Sequence, residues 1–120
     1  MSSLIIWLEK YDAKIFELSP NGIDKCKISH KGPWHENSSK VDEVRFYEQL
    51  IQALQKYPSS EWYVMGPGLA KDHFKHYLEK HYPLLDGRVK GCAKKDILTD
   101  EQIIQEGARF FRHEHLFVRI

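Results

Sequence analysis

Of the residues in this sequence that could do chemistry, a Gly-Pro-Gly tripeptide is the most distinctive group. Gly66, Pro67 and Gly68 follow the predicted strand 61–65 and precede a segment with helical spacing. A turn from a strand into a helix leaves the first helical N–H groups without partners, and such groups attract anions. Lys71, in the first turn, would add positive charge. The motif predicts either a structural turn or a phosphate site, and it matches neither the Walker loop nor the dinucleotide fingerprint.

Positive charge is concentrated in the segment that begins at this tripeptide. Residues 66–95 hold seven Lys and Arg against three acidic residues, whereas the whole chain has a formal net charge of +1. Such asymmetry indicates an anionic partner on one side, although a solvated basic face has the same composition. The residues expected to contact phosphate are Gly66, Gly68, Lys71, Lys75, Lys90, Lys94 and Lys95.

The seven histidines suggest a metal site at first sight. His73 and His76 lie three apart on a predicted helix, and His81 lies five residues further on. The spacing of these three histidines does not match that of a zinc protease or a zinc finger, and neither does the spacing of His113 and His115. We therefore expect no metal and no cofactor, and interpret the helical histidines as part of a polar face.

Carboxylates and cysteines give a weaker indication of catalysis. The first apolar run carries no acidic residue, and Glu9 and Asp12 fall at its end, so a two-metal nuclease is not indicated. Cys26 and Cys92 are too few for a zinc motif or a disulfide framework. Cys92 has no predicted base beside it, and we interpret both cysteines as core residues.

The elements that must position these residues follow from hydrophobic spacing and turn signals. Strands are predicted at 4–8, 14–18 and 23–30, with Asn21-Gly22 as a hairpin signal between the last two. After them the chain alternates helix and strand, which predicts the order β-β-β-α-β-α-β-α. Predicted helices begin near residues 41 and 70, and a capping-box pattern at Thr99 and Gln102 begins the last one.

This order indicates an α/β fold in which a three-stranded antiparallel meander is followed by alternating helices and strands around a mixed sheet. We expect a single domain over residues 1–120, with a core of about 4–112 and a tail or edge strand at 113–120. The chain has no apolar run long enough to span a membrane and no signal-peptide pattern, so a cytoplasmic protein is expected.

A loop is predicted between the third strand and the first helix. Residues 30–40 contain Gly, Pro, Asn and Ser without any period, which predicts an exposed, mobile segment. Its position suggests a projecting contact with a partner. The candidate contact residues of this loop are Lys31, Trp34, His35 and Lys40.

The Gly-Pro-Gly segment resembles the middle domain of the Pelota and class-1 release-factor family. The residues that carry this resemblance are Gly66, Pro67, Gly68, Lys71, Asp72 and Phe74. The element order agrees over residues 4–111, and a later Thr-Asp-x-Gln is similar to that of small bacterial translational-machinery proteins. The resemblance implies a ribonuclease-H-like fold and a role near translation. Release factors carry Gly-Gly-Gln in the loop that here spans 30–40, and that tripeptide is absent from this sequence.

Three functions remain open from the sequence. The first is a non-enzymatic domain that contacts RNA or the ribosome through a basic face, with no DNA or membrane partner. The second is a protein-interaction or homodimerisation module, and the third is a metal-dependent hydrolase that uses the histidines. Salt-dependent RNA binding separates the first two, since phosphate contacts release counterions.

Overall fold

The computed structural model describes residues 3–10, 12–29 and 39–111. Within these ranges the chain alternates between strands and helices after an initial run of three strands. The elements are β1 (Ser3–Leu8), β2 (Asp12–Ser19), β3 (Gly22–Ser29), α1 (Ser39–Leu54), β4 (Glu61–Gly66), α2 (Ala70–His81), α3 (Pro83–Asp86), β5 (Val89–Lys94) and α4 (Asp100–Phe111).

The five strands form one mixed sheet in the order β3-β2-β1-β4-β5. The pairs β1/β2 and β2/β3 are antiparallel, whereas β1/β4 and β4/β5 are parallel. The antiparallel meander predicted from the sequence is confirmed, and so is the α/β fold with its mixed sheet. Gly22, with φ of 136°, closes the hairpin between β2 and β3 in a conformation that favours glycine.

Strand β1 lies at the centre of the sheet and is buried on both faces. All six of its residues are buried, which is why its sequence is nearly continuous apolar rather than alternating. Leu4, Ile6 and Leu8 point to one face, and Ile5 and Trp7 point to the other. The predicted central position of this strand is confirmed.

Two helices cover the first face of the sheet, here called the α1/α2 face. Helix α1 contributes Phe46, Leu50 and Leu54, which lie on one side because they are four residues apart. Helix α2 contributes Phe74 and Leu78, spaced in the same way. These side chains pack on the even-numbered residues of β1 and β4.

Helix α4 covers the second face, here called the α4 face. Its start has the predicted capping box: Thr99 N–H donates to Gln102 Oε1 over 2.9 Å, and Gln102 N–H donates to Thr99 Oγ1 over 3.2 Å. Gly107 faces β1, where a Cβ atom would lie 2.0 Å from Ile5 Cδ1. Helix and sheet therefore approach closely at Gly107.

The structure differs from the predicted order by one short helix, α3, which occupies 83–86 between α2 and β5. Pro83 starts this extra turn because its fixed φ suits a first helical position. Strand β5 then runs from Val89 to Lys94.

Some expectations fall on residues outside the described ranges. The loop predicted at 30–40 lies outside the described ranges except for residues 39 and 40, which begin α1 instead. The tail at 113–120 lies outside them as well. No helix in the described part of the chain combines the length and hydropathy that crossing a membrane requires.

Asp100, the first residue of α4, connects this helix to the meander. Lys14 Nζ of β2 lies 2.7 Å from Asp100 Oδ1, and Lys25 of β3 forms an ion pair with Asp100 Oδ2. Hydrogen bonds from Lys14 and then Lys25 hold the pKa of Asp100 below its usual value. The helix N-terminus favours the same negative charge.

We predict that Asp100→Asn makes stability less dependent on pH. Because the folded-state pKa lies below the unfolded value of about 3.9, the stabilisation is complete above that value and is lost as the pH falls through the folded pKa. Above about pH 5 the substitution should lower the free energy of unfolding by up to about 1 kcal/mol, since Asp100 is partly exposed and salt screens the pairs.

Chemical denaturation of both proteins between about pH 2 and pH 7 measures this difference. The exposed Asp24 of β3 supplies a matched control, Asp24→Asn. A stability difference between wild type and Asp100→Asn that stays constant down to the lowest pH would contradict the prediction.

Candidate nucleic-acid interface

The Gly-Pro-Gly turn starts where β4 lies beside the end of β1. A Cβ atom on Gly66 would lie 2.1 Å from the carbonyl oxygen of Leu8, which is backbone and cannot move aside. At Gly68 a Cβ atom would meet nothing within 4 Å, and the φ angle of Gly68 is not positive. Gly68 therefore needs no left-handed conformation, and the strict glycine requirement lies at Gly66.

Lys71 is buried, with only 4% of its surface exposed. Its Nζ donates to the carbonyl oxygen of Gly68 over 2.6 Å and to Asp72 Oδ2 over 3.1 Å. The expectation of a solvent-facing Lys71 is wrong, because Lys71 shares the inward stripe of α2 with Phe74 and Leu78. The spacing of three and four residues between these positions was the signal for it. Lys71 holds the turn to the helix.

The start of α2 lines a cavity of about 440 Å³ at the carboxyl ends of β1 and β4. Such crevices are common ligand sites in α/β folds. The charged groups here are mixed, with the carboxylates of Glu9 and Glu43 beside the ammonium group of Lys10 and the imidazole of His73. An anion at the helix start would meet two carboxylates, so the predicted phosphate site at the turn gains no support from these surroundings.

Lys75, half-buried on α2, is paired with two acidic residues. Its Nζ lies 2.9 Å from Asp86 Oδ1 and 3.0 Å from Glu79 Oε1. Hydrogen bonds, first to Asp86 and then to Glu79, raise the pKa of Lys75. Two carboxylates facing one ammonium group leave this site with no excess of positive charge.

Three of the predicted lysines lie together on or directly after the edge strand β5, and we call Lys90, Lys94 and Lys95 the β5 rim. Lys94 pairs in register with Gly66, and Lys95 N–H donates to the carbonyl oxygen of Gly66 over 3.0 Å. The fold thus brings the end of the rim to the Gly-Pro-Gly turn, although Gly66 and Lys94 are 28 positions apart in the sequence.

The charges of the β5 rim are only partly offset. Lys90 is exposed and its Nζ donates to the carbonyl oxygen of Gly87 over 3.1 Å. Lys94 is exposed and makes no ion pair or hydrogen bond through its side chain with any residue that the structure describes. Lys95 Nζ lies 3.2 Å from Glu106 Oε2, and Arg109 Nη1 lies 3.3 Å from Oε1 of the same carboxylate. Two cations facing one carboxylate leave a net positive charge there.

The histidines of α2 line a groove of about 480 Å³ between α1 and α2, together with Lys80 and Glu43. His73, His76 and His81 are all exposed, as expected for a polar helix face. Among the described residues, no group of three or more His, Cys, Asp or Glu side chains could hold a metal ion. The remaining four histidines lie outside the described ranges, so the absence of a metal stays a prediction.

The two cysteines differ in their surroundings. Cys26 is half-buried and packs against the core of the α1/α2 face. Cys92 is exposed on β5, so its interpretation as a core residue is wrong. Partial burial of the Cys92 thiol raises its pKa, and the charges of Asp72 and Lys71 act on it in opposite directions. This environment favours the thiol over the nucleophilic thiolate.

The predicted loop contacts are not brought to any described site. Lys31, Trp34 and His35 lie outside the described ranges. Lys40 is the second residue of α1, and its side chain is also outside the described part. Their role as projecting contacts stays a prediction.

Sequence reasoning missed two residues of α4 beside the β5 rim, Arg109 and Phe110. Phe110 lies at apolar helical spacing from Ile103 and Gly107, which predicts a buried side chain, yet 39% of it is exposed. The signal that could have found it is Gly91, since a lone glycine in a strand often marks a close approach by another group. A Cβ atom on Gly91 would lie 2.6 Å from the Phe110 ring.

Comparison with known proteins finds no matching family model. Two curated relatives are Pelota homologues from Thermoplasma acidophilum, 28% identical over 71 residues, and Methanocaldococcus jannaschii, 27% identical over 95 residues. These alignments cover 58% and 72% of this chain but only 21% and 26% of the relatives. The chain therefore corresponds to about a quarter of the length of these relatives.

Solved structures with the same fold include Pelota from Thermoplasma acidophilum, with a TM-score of 0.66 and 24% identity over 91% of this chain and 32% of that one. Pelota from Archaeoglobus fulgidus also has a TM-score of 0.66, with 16% identity over 90% of this chain and 31% of that one. An archaeal translation termination factor matches 98% of this chain and 41% of its own, with a TM-score of 0.52 and 18% identity. The expected Pelota- and release-factor-like fold is confirmed. These relatives are archaeal, so the bacterial grouping stays an expectation.

We predict that Gly66→Ala destabilises the protein by about 2 kcal/mol or more, because the added methyl group overlaps the Leu8 carbonyl oxygen and forces β1 and β4 apart. Gly68→Ala is the matched control two residues away, where the methyl group meets open space, and it should change stability by no more than about 0.5 kcal/mol. Urea unfolding followed by circular dichroism measures both. Equal losses in the two variants would contradict the assignment of the glycine requirement to Gly66.

We predict that Lys71→Ala lowers the free energy of unfolding by about 1–2 kcal/mol, because it removes a buried aliphatic stem and the donor to the Gly68 carbonyl group. Lys80→Ala, on the exposed side of the same helix, should stay within about 0.5 kcal/mol of wild type. Thermal and urea unfolding of the three proteins check this. If Lys71→Ala, Lys80→Ala and wild type had indistinguishable stabilities, the assignment of Lys71 to the buried side of α2 would be wrong.

Proposed function

We propose that this chain is a non-enzymatic, translation-associated domain that contacts ribosomal RNA through the β5 rim. Support for the translation setting comes from the similarity in fold to Pelota proteins and to an archaeal translation termination factor. The observation that carries the RNA contact is the exposed, incompletely offset positive charge of Lys90 and Lys94 on an edge strand.

The geometry of the β5 rim suits a phosphate backbone. Lys90 and Lys94 lie four residues apart on an extended strand, which places their Cα atoms roughly 13 Å apart. Within residues 3–10, 12–29 and 39–111, no strand pairs with the outer edge of β5. Lysines in this position can reach phosphates without reading base sequence.

The basic face is smaller than the sequence suggested. Of the predicted phosphate contacts, Lys71 is buried and Lys75 faces two carboxylates, so neither adds to it. Gly66 and Gly68 serve the turn that places the end of the rim. Lys90, Lys94 and Lys95 therefore remain as the proposed contacts.

A lack of catalysis is part of this proposal. The Gly-Gly-Gln tripeptide of release factors does not occur in the sequence. The exposed thiol of Cys92 has a raised pKa. Glu9 Oε2 accepts a hydrogen bond from Trp7 Nε1 over 3.1 Å at the end of β1. These features support a binding domain.

A second candidate function is a protein-interaction module. A homodimer of this kind requires a self-complementary contact. Leu69, in the turn after β4, is 68% exposed, and Ile97, in the loop after β5, is 79% exposed. Both follow parallel neighbouring strands, so they lie at the same edge of the sheet. Binding through these residues would depend little on salt, which distinguishes it from RNA contact.

The test is co-sedimentation with ribosomes and binding to purified ribosomal RNA over a range of salt concentrations. We predict that Lys90→Ala/Lys94→Ala weakens binding and reduces the slope of log affinity against log salt by about two, because each lysine accounts for about one phosphate contact. The expected loss is similar for unrelated RNA sequences, since phosphate contacts carry no sequence information.

The matched control is Arg45→Ala/Lys56→Ala, which removes the same charge from exposed positions on and just after α1. It should retain the wild-type salt slope. If both double variants lose binding equally, net charge rather than the β5 rim is responsible. If wild type binds neither ribosomes nor RNA, the proposed function is wrong.

A further inference from the structure

Phe110 is an apolar side chain held in a fixed orientation beside the β5 rim. Its ring stacks on Tyr63 with a centroid distance of 3.9 Å and an interplanar angle of 2°. Phe111 contacts it edge-on, with a centroid distance of 5.0 Å and an angle of 86°. Although Tyr63 covers one face of the ring, 39% of Phe110 is exposed.

Gly91 makes this arrangement possible. It lies in β5 on the α4 face, in register with Tyr63. A Cβ atom at this position would lie 2.6 Å from two ring carbons of Phe110 and 3.0 Å from Tyr63 Cδ1. The ring therefore lies directly against the backbone of the edge strand, where any other residue would displace it.

Positive charge lies beside the ring on the α4 side. Arg109 immediately precedes Phe110 in α4. Arg109 is 68% exposed at its side chain and shares Glu106 with Lys95, which leaves one net positive charge beside the ring. Lys94 leaves β5 on the face opposite to Gly91, and both Lys90 and Lys94 are exposed on this strand.

We infer that Phe110 is a stacking platform for an unpaired base of single-stranded RNA whose phosphates contact the β5 rim. An aromatic ring flanked by cations is the combination that single-strand binding proteins use, because every base presents a flat face and every nucleotide carries a phosphate. The inference rests on the proposed function and names the form of RNA that the site takes.

The geometry favours a single strand over a duplex. Bases inside a helix are stacked on each other, and their faces are not available to a protein ring. In single-stranded loops and ends the bases can be turned outward. The ring is already fixed by Tyr63 and Gly91, so little conformational freedom is lost when a base stacks on it.

The test compares Phe110→Leu and Phe110→Tyr in binding to a single-stranded oligouridylate of roughly 10 nucleotides and to an RNA duplex. Phe110→Leu should weaken single-strand binding by on the order of tenfold, because it removes the ring but no charge. The salt slope should remain that of wild type. Phe110→Tyr keeps the ring and should bind within about twofold of wild type. Duplex binding should be equal in all three proteins.

Phe110→Trp gives a direct readout that a structural role would not change. Its additional indole fluorescence should be quenched by the single strand and not by the duplex, relative to wild type measured in parallel. Leu84→Ala, which truncates an apolar residue that is 90% exposed on α3, is the control for nonspecific apolar contact and should leave binding unchanged. Circular dichroism verifies that each variant is folded.

The outcomes separate this inference from the proposed function. If Lys90→Ala/Lys94→Ala weakens binding while Phe110→Leu does not, the stacking platform is wrong and the phosphate contact stands. Loss of duplex and single-strand binding together in folded Phe110→Leu would also overturn it. A concentration-dependent dimer that Phe110→Leu abolishes would assign the ring to self-association instead. If the wild-type protein binds no RNA, both the stacking platform and the proposed function are wrong.

Discussion

The close approach of β1 and β4 is the constraint on which the rest of the structure depends. Their parallel pairing ends with Gly66 beside the Leu8 carbonyl group, where no side chain fits. Only after this point can the chain turn through Pro67 and Gly68 into α2. The same pairing sets the position of β5, because β4 is its neighbour and the Gly66 carbonyl group accepts from Lys95 N–H. A displacement at Gly66 would therefore move the turn and the end of the β5 rim together.

The sheet sorts the basic residues of one sequence segment into different environments. Between residues 66 and 95, one lysine is buried under a turn, one faces two carboxylates, and those of the β5 rim reach solvent. Lys71 shows why position outweighs residue type: the inward stripe of α2 places its stem in the core, and the Gly68 carbonyl group and Asp72 satisfy its charge. Net charge counted along the sequence consequently overstates the positive surface that a partner meets.

The sequence was sufficient for the architecture, because hydrophobic spacing and turn residues are local signals. The apolar β1, the hairpin at Asn21-Gly22 and the capping box at Thr99 all predicted what the structure contains. The site was harder to predict, because it depends on which strands become neighbours. The residues around Gly66 and Gly68 carry no signal that the Leu8 carbonyl group lies against Gly66. In the same way, the residues around Phe110 carry no signal that its ring lies against Gly91. The burial of Lys71 was readable from its spacing, but the expectation that lysines are exposed outweighed that signal.

Lysines on an edge strand also protect a sheet from pairing with another sheet, and this role makes a different demand from RNA contact. Protection requires only that charge be present, so a carboxylate would serve as well as an ammonium group. Protection of the edge gives no reason for an ordered aromatic ring against the same strand. An exposed ring promotes the association between sheets that the lysine charges oppose. The Phe110 ring nevertheless stacks on Tyr63 at this edge, and the strand has a glycine at position 91 because a side chain there would overlap the ring. The pairing of cations with a fixed ring is thus better explained by a ligand that has both phosphates and flat bases than by protection of the edge alone.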